Sequence, residues 1–483
     1  MKKQVYNPYL PLYEYVPDGE PHVFNGRVYV YGSHDQYGAF NFCHNDYITW
    51  SAPVDDLSDW RYEGVILSRT EDPENKKNNH DLYAPDVCQG PDGKYYIYYA
   101  YDWLGHTGVA VSDSPAGPFK FHGYVTYPDG VVVGSRRPKD VFQFDPGVLV
   151  DDDGRVYLYS GFGADSWFPQ IKSRMKVDGG YVMELEPDMK TVKGEPKKIF
   201  DRRPELKDQA YKGHEFFEAS SIRKVNGKYY FVYSTVNGHE LAYATSDSPM
   251  GPFTFGGVLV SNGDVGYKGR TKENACYPLG NNHGGMVCAN GQWYIFYHRH
   301  TNFTNTDRQG MAEPIYIKED GSIDQVEMTS CGLNGGPLAG KGVYPASICC
   351  CLMPKKGNVF YPFFKLPHQA AGETYVTQSG KDSDTVETQY ITNIKNGCLI
   401  GWKYFNLTET TKVILSIKGK ANGEIALKYE ENGEVISTVA VKNNSKDMYQ
   451  VELEVKGGSE KSGLYLDFKN FKGKIQLYTI ELQ

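Results

Sequence analysis

Three carboxylates occupy equivalent places in a repeated sequence pattern. Asp18, Asp145 and Glu218 each precede, by eight or nine residues, the glycine of an Asn-Gly or Asp-Gly turn. Paired carboxyl groups can hydrolyse a glycosidic bond, because one protonates the leaving oxygen while the other activates a water molecule. A third carboxylate nearby can raise the pKa of the acid and orient it. Asp also favours turns for structural reasons alone, so the shared register of all three residues is what favours catalysis.

The repeat that carries these residues is a turn followed by a short aromatic strand. It occurs five times, as NGRVYVY, DGKYYIYY, DGRVYLY, NGKYYFVY and NGQWYIFY, at spacings of 61 to 73 residues. Asn-Gly and Asp-Gly provide the positive φ of two-residue hairpin turns, and Tyr, Val and Ile favour strands. Five such units without a helical period predict a five-bladed β-propeller. Since inner strands line the channel of a propeller, we expect the three carboxylates to meet in one pocket.

The chain is predicted to contain two folded parts and to be all-β. Residues 1–336 form the propeller, and residues 337–370, where the repeat stops and Pro, Gly and Lys increase, form a linker or crossing segment. Residues 371–483 contain about eight short alternating strands, which predicts a β-sandwich of the jelly-roll kind.

Composition excludes several classes of function. With 51 basic and 59 acidic residues the formal charge is −8, so neither nucleic acid nor a membrane is an expected partner. No apolar run reaches the length of a membrane-spanning helix. Nine cysteines, three of them adjacent at 349–351, fit neither a disulfide framework nor a zinc site and predict free thiols. The N-terminus lacks the apolar core of a signal peptide, so we expect a cytoplasmic protein or one whose leader has been removed.

Five segments resemble glycoside hydrolase family 43. They are PDGEPHVFNGRVYVYGSHD, APDV with its following hairpin, FDPGVLVDDDGRVYLYSG, FEASSIRKVNGKYYFVYS and NNHGGMVCANGQWYIFYH, within residues 7 to about 330. The resemblance implies a five-bladed propeller that hydrolyses arabinose- and xylose-containing glycans with inversion. It implies that Asp18 is the general base, Asp145 the residue that modulates the pKa of the acid, and Glu218 the general acid. Gly19 departs from the proline often found after the base, which makes Glu20 a rival base, although the register favours Asp18.

Further site residues follow from register and from the resemblance. His283, in NNHGG, shares the register of the carboxylates and should face the channel. The resemblance implies that it lies beneath the sugar pocket, where it either helps to hold a calcium ion, usually through water, or is only hydrogen-bonded. No organic cofactor is expected. Arg308 matches an arginine that reaches the sugar. Four more residues are predicted to wall or rim the pocket: Trp103, Phe40, His34 and Asp35.

The C-terminal part resembles a family 6 carbohydrate-binding module over about 110 residues, in NGCLIGWKYFNL and GLYLDF. Such modules bind sugars on exposed aromatic rings, for which Trp402 and Tyr449 are the candidates. Tyr449 stands where a binding Trp often stands, so we expect the binding surface to be lost and the module to have a structural or pocket-completing role.

Two classes of function remain open. The first is an enzyme, namely an exo-acting α-L-arabinofuranosidase on arabinoxylan or arabinan oligosaccharides, with a β-D-xylosidase on xylo-oligosaccharides as the alternative. Pocket shape rather than the three carboxylates would decide between the two sugars. The second class is a propeller that only binds glycans, against which the presence of all three carboxylates argues. In each case a pentose-containing oligosaccharide is the expected partner.

Overall fold

The computed structural model describes residues 3–134, 137–164, 174–202, 209–363, 370 and 372–483. This part of the chain consists of 31 β-strands joined by loops and seven short 3₁₀ helices. The 3₁₀ helices span Pro73–Asn75, Gln209–Tyr211, Asn262–Asp264, Tyr267–Gly269, Lys272–Asn274, Gly332–Asn334 and Ala346–Ile348. The predicted all-β fold class is confirmed. Among the described residues, no helix has the length and hydropathy needed to cross a bilayer.

Five antiparallel sheets, one for each sequence repeat, follow one another in the described residues before position 320. The first contains β1 (Glu20–Phe24), β2 (Arg27–Tyr31), β3 (Tyr47–Pro53) and β4 (Arg61–Leu67). The second contains β5 (Leu82–Gln89), β6 (Tyr95–Tyr101), β7 (Thr107–Ser112) and β8 (Lys120–Tyr124). The third contains β9 (Gly147–Val150), β10 (Val156–Phe162), β11 (Gly179–Leu185) and β12 (Lys197–Asp201). The fourth contains β13 (Phe216–Val225), β14 (Lys228–Thr235), β15 (Glu240–Ser246) and β16 (Thr254–Ser261). The fifth contains β17 (Met286–Ala289), β18 (Gln292–His300) and β19 (Arg308–Ile315). Within each sheet the strands pair in chain order, as in the blades of a propeller.

The aromatic second strand of each sheet is buried on both faces. On β6, Ile97 and Tyr99 pack in one cluster with Tyr31 of the first sheet. Tyr98 points the other way and packs with Leu158 of the third sheet. Because successive side chains of a strand alternate between faces, a run of apolar and aromatic residues fills the spaces on both sides of a blade. This alternation explains why the repeats have no polar face.

The hairpin turns of the repeats are of two kinds. At the Asn-Gly pairs 25–26, 226–227 and 290–291 both residues have positive φ, as in a type I′ turn. At the Asp-Gly pairs 92–93 and 153–154 only the glycine has positive φ, and a longer loop joins the strands. The predicted two-residue turn is therefore wrong for the Asp-Gly units, in which the Asp side chain accepts a hydrogen bond from the backbone two residues later.

The first strands of the sheets surround the channel. β1 contacts β5 and β17, and β9 contacts β5 and β13. A bridge between Gly19 and Gly284 joins the first sheet to the fifth and closes the ring. Arg223 of β13 adds a link by donating to the carbonyl of Met286 in β17 (2.8 Å).

Two six-stranded sheets form the C-terminal sandwich. Their strands are β20 (Leu338–Ala339), β21 (Gly342–Pro345), β22 (Cys351–Met353), β23 (Tyr375–Gln378), β24 (Gln389–Ile394), β25 (Leu399–Asn406), β26 (Lys412–Lys418), β27 (Ala421–Lys428), β28 (Ser437–Asn443), β29 (Met448–Glu454), β30 (Ser462–Gly473) and β31 (Ile475–Leu482). One sheet has the order β20-β25-β30-β27-β28 with β22 on β25, and the other has β23-β24-β31-β26-β29 with β21 on β31. The predicted linker thus contributes three short strands, which are too short for a visible alternation in the sequence.

The sandwich and the propeller share one hydrophobic core. Val232 of β14 and Ile295 of β18 belong to the same cluster as Ile400 and Leu466 of the sandwich. Trp402 also lies in this cluster, is fully buried and donates its indole N–H to the carbonyl of Ala346 (3.0 Å). The prediction of Trp402 as an exposed sugar platform is therefore wrong, because its ring fills the sandwich core.

Candidate active site

A backbone kink at the end of an inner strand positions each of the three carboxylates. Asp18 and Asp145 have positive φ, at 57° and 45°, just before β1 and β9. Glu218 lies in β13 between two register shifts, and the next residue, Ala219, has a φ of 69°. Asp tolerates this left-handed conformation better than most residues, and strain of this kind concentrates at functional sites. A local departure from regular strand geometry therefore marks the backbone at each of the three carboxylates.

Asp18 is bonded to a buried arginine and a buried histidine. Its Oδ1 accepts a hydrogen bond from Nη1 of Arg308 (2.8 Å), and its backbone N–H donates to Nδ1 of His298 (3.3 Å). Burial, and then the positive charges of Arg308 and His283, hold the pKa of His298 well below its usual range. The neutral ring can therefore accept on Nδ1 while Nε2 donates to the carbonyl of Asn281 (2.8 Å). His298 was not predicted as a site residue, although it directly follows the aromatic run of the fifth repeat and lies in β18.

Arg308 is held in place by Asp35. Its Nε and Nη2 donate to the two carboxylate oxygens of Asp35 at 2.8 and 2.9 Å, and its backbone N–H donates to Oδ2 at 3.1 Å. Asp35 is fully buried and also accepts from the backbone N–H of Cys43 (2.9 Å). Its predicted place at the pocket rim is therefore wrong: the bidentate pair takes the carboxylate out of solvent and fixes the plane of the guanidinium.

Asp145 and His283 form a buried pair. Nδ1 of His283 lies 3.5 Å from Oδ2 of Asp145, which also accepts from the backbone N–H of Ala219 (3.2 Å). Burial by itself would lower the pKa of His283, but the hydrogen bond and the charge of Asp145 outweigh it and raise that pKa to about 9. At neutral pH the pair is therefore an imidazolium facing a carboxylate.

Glu218 has a different environment. Its side chain is partly exposed, as a group that must reach a substrate should be. Burial of the carboxyl group, followed by the negative charge of Asp145, raises the pKa of Glu218 well above its usual range. His283 and Arg308 oppose this shift but do not cancel it. A raised pKa favours the protonated form of Glu218, which is the form that a general acid requires.

Glu20, the rival base, is engaged by residues of the fourth sheet. It is fully buried, and its Oε2 accepts from Ser221 Oγ (3.0 Å) and from Arg223 Nη2 (2.9 Å). Burial raises the pKa of Glu20 to about 7 against the opposing charge of Arg223. Ligand atoms of Glu20, His22 and Asp86 lie within 4.8 Å of one another. The guanidinium of Arg223, 3.4 Å from His22 Nε2, already provides the positive charge of this group.

The residues around His283 can accommodate a calcium ion only with the help of water. Nε2 of His283 and Oε1 of Glu20 lie 3.9 Å apart, and each is a buried atom without a hydrogen-bond partner among the described residues. Calcium prefers six to eight oxygen ligands, so one carboxylate oxygen and one imidazole nitrogen would leave most positions to water. A bound cation would also have to replace the proton on Nε2. The donor set fits a water-coordinated ion.

The structure brings some of the predicted residues together and leaves others apart. Arg308 is bonded to Asp18, and His283 is paired with Asp145. Glu218 is close enough to both pairs for their charges to act on its pKa, whereas three other predicted residues lie in loops outside this cluster: Trp103, Phe40 and His34. Nδ1 of His34 is bonded to the carbonyl of Asp46 (2.9 Å). Phe40 is 64% exposed and lines a cavity of about 280 Å³ formed within the 36–44 loop.

Comparisons with known proteins identify the family of this chain and several relatives. The family model described as "Glycosyl hydrolases family 43" matches residues 16–323. A "Xylosidase/arabinosidase" of Thermoclostridium stercorarium is 49% identical over 446 residues, which cover 91% of this chain and 91% of that protein. An "Arabinoxylan arabinofuranohydrolase" of Paenibacillus polymyxa is 30% identical over 67% of this chain and 52% of its own length.

Solved structures show the same fold. A family 43 arabinoxylan arabinofuranohydrolase from Bacillus subtilis, in complex with cellotetraose, matches with a TM-score of 0.52 at 23% identity. The match covers 99% of this chain and 97% of that one. A β-xylosidase/α-arabinofuranosidase from a compost metagenome, solved with xylotriose in a calcium-free form, matches with a TM-score of 0.52 at 28% identity. It covers 67% of this chain and 98% of that one, so the similarity there is confined to about two thirds of this chain.

Proposed function

The chain belongs to glycosyl hydrolase family 43, and on that basis we propose that it releases terminal α-L-arabinofuranosyl residues from arabinoxylan or arabinan oligosaccharides. It is a glycosidase by family, and relatives named for xylosidase and arabinosidase activities support this choice of substrate. A β-D-xylosidase acting on xylo-oligosaccharides is the alternative, because the same relatives carry both names. Glycan binding without catalysis would not require three carboxylates with distinct electrostatic environments, so a propeller that only binds glycans is the weaker proposal.

The mechanism we propose uses Glu218 as the acid and Asp18 as the base. Glu218 donates its proton to the glycosidic oxygen as the bond from that oxygen to the anomeric carbon breaks. Asp18 takes a proton from a water molecule, whose oxygen forms the new bond to the anomeric carbon from the opposite face of the sugar. The products are a free sugar of inverted configuration and a shortened oligosaccharide. Asp145 keeps the pKa of Glu218 high, and Arg308 holds Asp18 in place.

One observation supports these roles above the others: two of the carboxyl groups in the cluster have opposite surroundings. Asp18 is ion-paired with Arg308 at 2.8 Å, whereas burial and the charge of Asp145 raise the pKa of Glu218. Groups of one chemical type whose environments separate their protonation states are the usual acid and base of a site.

Replacement of the acid tests this assignment. Glu218→Gln should lower kcat on arabinoxylo-oligosaccharides by about 10²–10⁴-fold, because protonation of the leaving group is lost. The loss should be much smaller on a dinitrophenyl glycoside, whose leaving group needs no proton. Glu215→Gln, three residues earlier on the same segment, is the matched control and should keep wild-type rates. Undiminished hydrolysis by Glu218→Gln would remove Glu218 from this role.

Sugar specificity and stereochemistry are tested on the wild-type protein. Nitrophenyl α-L-arabinofuranoside and nitrophenyl β-D-xylopyranoside assayed side by side should show the larger kcat/KM for the arabinoside. A larger value for the xyloside would favour the alternative activity. Proton NMR of the first product should show inversion at the anomeric carbon, and retention would contradict attack by water.

We further propose that His283 and Glu20 hold a calcium ion through water. Such an ion would supply fixed positive charge beneath the sugar pocket. Metal analysis of the purified protein, and the change in its melting temperature on adding a chelator, test this directly. If the purified protein contains no calcium and the chelator does not change its melting temperature, the calcium proposal is wrong. His283 would then act only as the imidazolium partner of Asp145.

The similarity of the C-terminal sandwich to a family 6 carbohydrate-binding module is also a proposal. Because Trp402 is buried, we propose that the sandwich has a structural role at the propeller and no sugar-binding face of its own around this residue. Retention of the Glu218→Gln variant on an arabinoxylan gel, compared with a Glu218→Gln/Tyr449→Ala double variant, tests this. Equal retention is expected, and a loss caused by Tyr449→Ala would contradict it.

A further inference from the structure

A continuous row of aromatic rings borders the proposed active site. Consecutive ring centroids lie 5.2 to 6.5 Å apart along the row. We name it the aromatic arc, and its members in order are Phe363, Phe42, Tyr83, Phe144, Phe162 and Phe217. Phe144 and Phe217 directly precede Asp145 and Glu218 in the chain, so the backbone at one end of the arc also carries the proposed acid.

Phe42 connects the arc to the proposed base. The guanidinium carbon of Arg308 stands 4.9 Å above the Phe42 ring, and Nη1 of the same arginine is bonded to Asp18. Beyond Phe42, at a ring distance of 6.1 Å, comes Phe363, which is 42% exposed. The arc therefore leads outward from the carboxylates, past Arg308, to an exposed ring.

The members of the arc differ in burial. Phe144 and Phe162 are buried and support the row from behind. Phe42, Tyr83 and Phe217 are only partly buried. Exposed aromatic surface next to a polar cleft marks a binding site more often than a folding requirement. The flat rings offer apolar faces, which suit the C–H face of a sugar ring.

Phe363 comes from outside the segment matched by the family model, which ends at residue 323. It lies in residues 359–363, which we call the strap and which are hydrogen-bonded to loops of the fourth and fifth sheets. The backbone N–H of Leu279 donates to the carbonyl of Val359 (3.1 Å), and that of Tyr361 donates back to Leu279 (2.8 Å). The backbone and side chain of Asn305 donate to the carbonyls of Pro362 and Tyr361. The strap is therefore fixed to these loops at several points.

The loop that is hydrogen-bonded to the strap leads directly into Arg308. Asn305 lies in the buried loop between β18 and β19, and Arg308 is the first residue of β19. In the same loop the Phe303 ring contacts the ring of Tyr361 at 4.9 Å. A single loop thus fixes both the arginine at the reacting centre and the strap with its exposed phenylalanine, which sets the distance between them.

We propose that the strap completes a binding subsite for the leaving-group side of the substrate, in which sugar residues beyond the scissile bond stack on Phe363 and Phe42. This inference rests on the proposed hydrolysis of pentose oligosaccharides and names the part of the substrate that the C-terminal region recognises. The subsite is preorganised, because the strap is bonded at several points and the Phe42 ring lies under Arg308. It makes Phe363 a specificity residue for oligosaccharides over small glycosides.

The test compares two substrates that share the released pentose. One is an arabinoxylo-oligosaccharide, and the other is arabinofuranosyl fluoride, which has no sugar on the leaving-group side. In the full-length protein, Phe363→Ala should raise KM for the oligosaccharide about five- to tenfold and leave both constants for the fluoride within twofold of wild type. Phe363→Trp should keep KM for the oligosaccharide at or below the wild-type value. Phe360→Ala removes another exposed ring of the same strap, outside the arc, and is the matched control.

Each outcome has a definite meaning. An equal effect of Phe363→Ala on both substrates, or no effect on either, would overturn the subsite. An oligosaccharide effect of Phe360→Ala as large as that of Phe363→Ala would also overturn it, because the strap would then act only as a whole. Failure of the wild-type protein to release arabinose from either substrate is a separate result, and it would contradict the proposed function itself.

Discussion

The three carboxyl groups are of one chemical type, but their neighbours give each of them a different electrostatic environment. Arg308 pairs with Asp18, the imidazolium of His283 pairs with Asp145, and Glu218 has no cation within hydrogen-bond distance among the described residues. Burial disfavours the charged form of a carboxyl group, and a neighbouring carboxylate disfavours it further. Burial and the charge of Asp145 together therefore raise the pKa of Glu218, which suits it to the role of general acid.

Replacement of Asp145 should move the pH profile. The charge of Asp145 raises the pKa of Glu218, so Asp145→Asn should lower that pKa and let Glu218 lose its proton at lower pH. The alkaline limb of kcat/KM should therefore shift to lower pH. His283 loses the partner that stabilises its positive charge, which offsets part of this shift. Asp152→Asn, at an exposed carboxylate, is the control and should leave the limb in place. A shift to higher pH would contradict this electrostatic account.

Replacement of Asp35 should lower both the stability and the catalytic rate, because Asp35 positions Arg308 and Arg308 is bonded to the proposed base, Asp18. Asp35→Asn leaves the buried guanidinium of Arg308 without its bidentate partner, which should cost about 3 kcal/mol of unfolding free energy and lower kcat at least tenfold. Urea unfolding and steady-state kinetics measure the two effects. Asp324→Asn breaks an exposed ion pair with Lys318 and should change stability by less than about 0.5 kcal/mol. Equal behaviour of the two variants would contradict the role of Asp35.

At the scale of elements, the inner strands are packed so closely that some positions accept only glycine. A Cβ on Gly147, in β9, would lie 2.4 Å from the carbonyl oxygen of Ser220 in β13. Gly147 follows Asp145 by two residues, and Ser220 follows Glu218 by two. The contact between these backbones therefore sets the separation of the two carboxyl groups.

A methyl group at this contact should disturb both folding and catalysis. Gly147→Ala should lower the unfolding free energy by about 1–3 kcal/mol, because a backbone atom rather than a flexible side chain opposes the new Cβ. It should also lower kcat by moving Asp145 away from Glu218. Gly194→Ala has nothing within 4 Å of its Cβ and is the matched control for thermal denaturation and kinetics. Wild-type stability in Gly147→Ala would show that the inner strands can separate freely.

At the scale of the whole molecule, a buried ion pair joins the propeller and the sandwich. Nζ of Lys403, in β25, lies 2.9 Å from Oδ2 of Asp264 and 3.0 Å from Oε2 of Glu327. Lys403 and Asp264 are buried beside the hydrophobic cluster that both parts share. A common core and a buried ionic contact predict that the two parts unfold together.

Removal of the lysine charge should destabilise the molecule as one unit. Lys403→Met leaves Asp264 buried without its cation, which should cost about 3–5 kcal/mol of unfolding free energy. Scanning calorimetry should show a single transition at a lower temperature in the variant, as in the wild type. Lys412→Met removes an exposed partner of Glu452 and should change the unfolding free energy by less than about 0.5 kcal/mol. Two separate transitions in either protein would contradict a shared core.

Local patterns were sufficient to predict the all-β fold, the five repeats and the shared register of Asp18, Asp145 and Glu218. Tight turns and strands depend on neighbouring residues, so Asn-Gly pairs and aromatic runs reveal them. The membership of His283 in the cluster also followed from register. The short strands of 337–370 could not be predicted in this way, because two to four residues carry no visible period.

What the tertiary structure alone decided is which side chains face one another across the channel. It paired Arg308 with Asp35 and Asp18, buried Trp402 in the sandwich core, and brought Phe363 beside Phe42, more than 300 residues away in sequence. The amino-acid order determined the repeat and the position of each carboxylate on its own strand. Contacts between strands of different blades depend on how five separate sheets pack, and no pattern within one repeat contains that information.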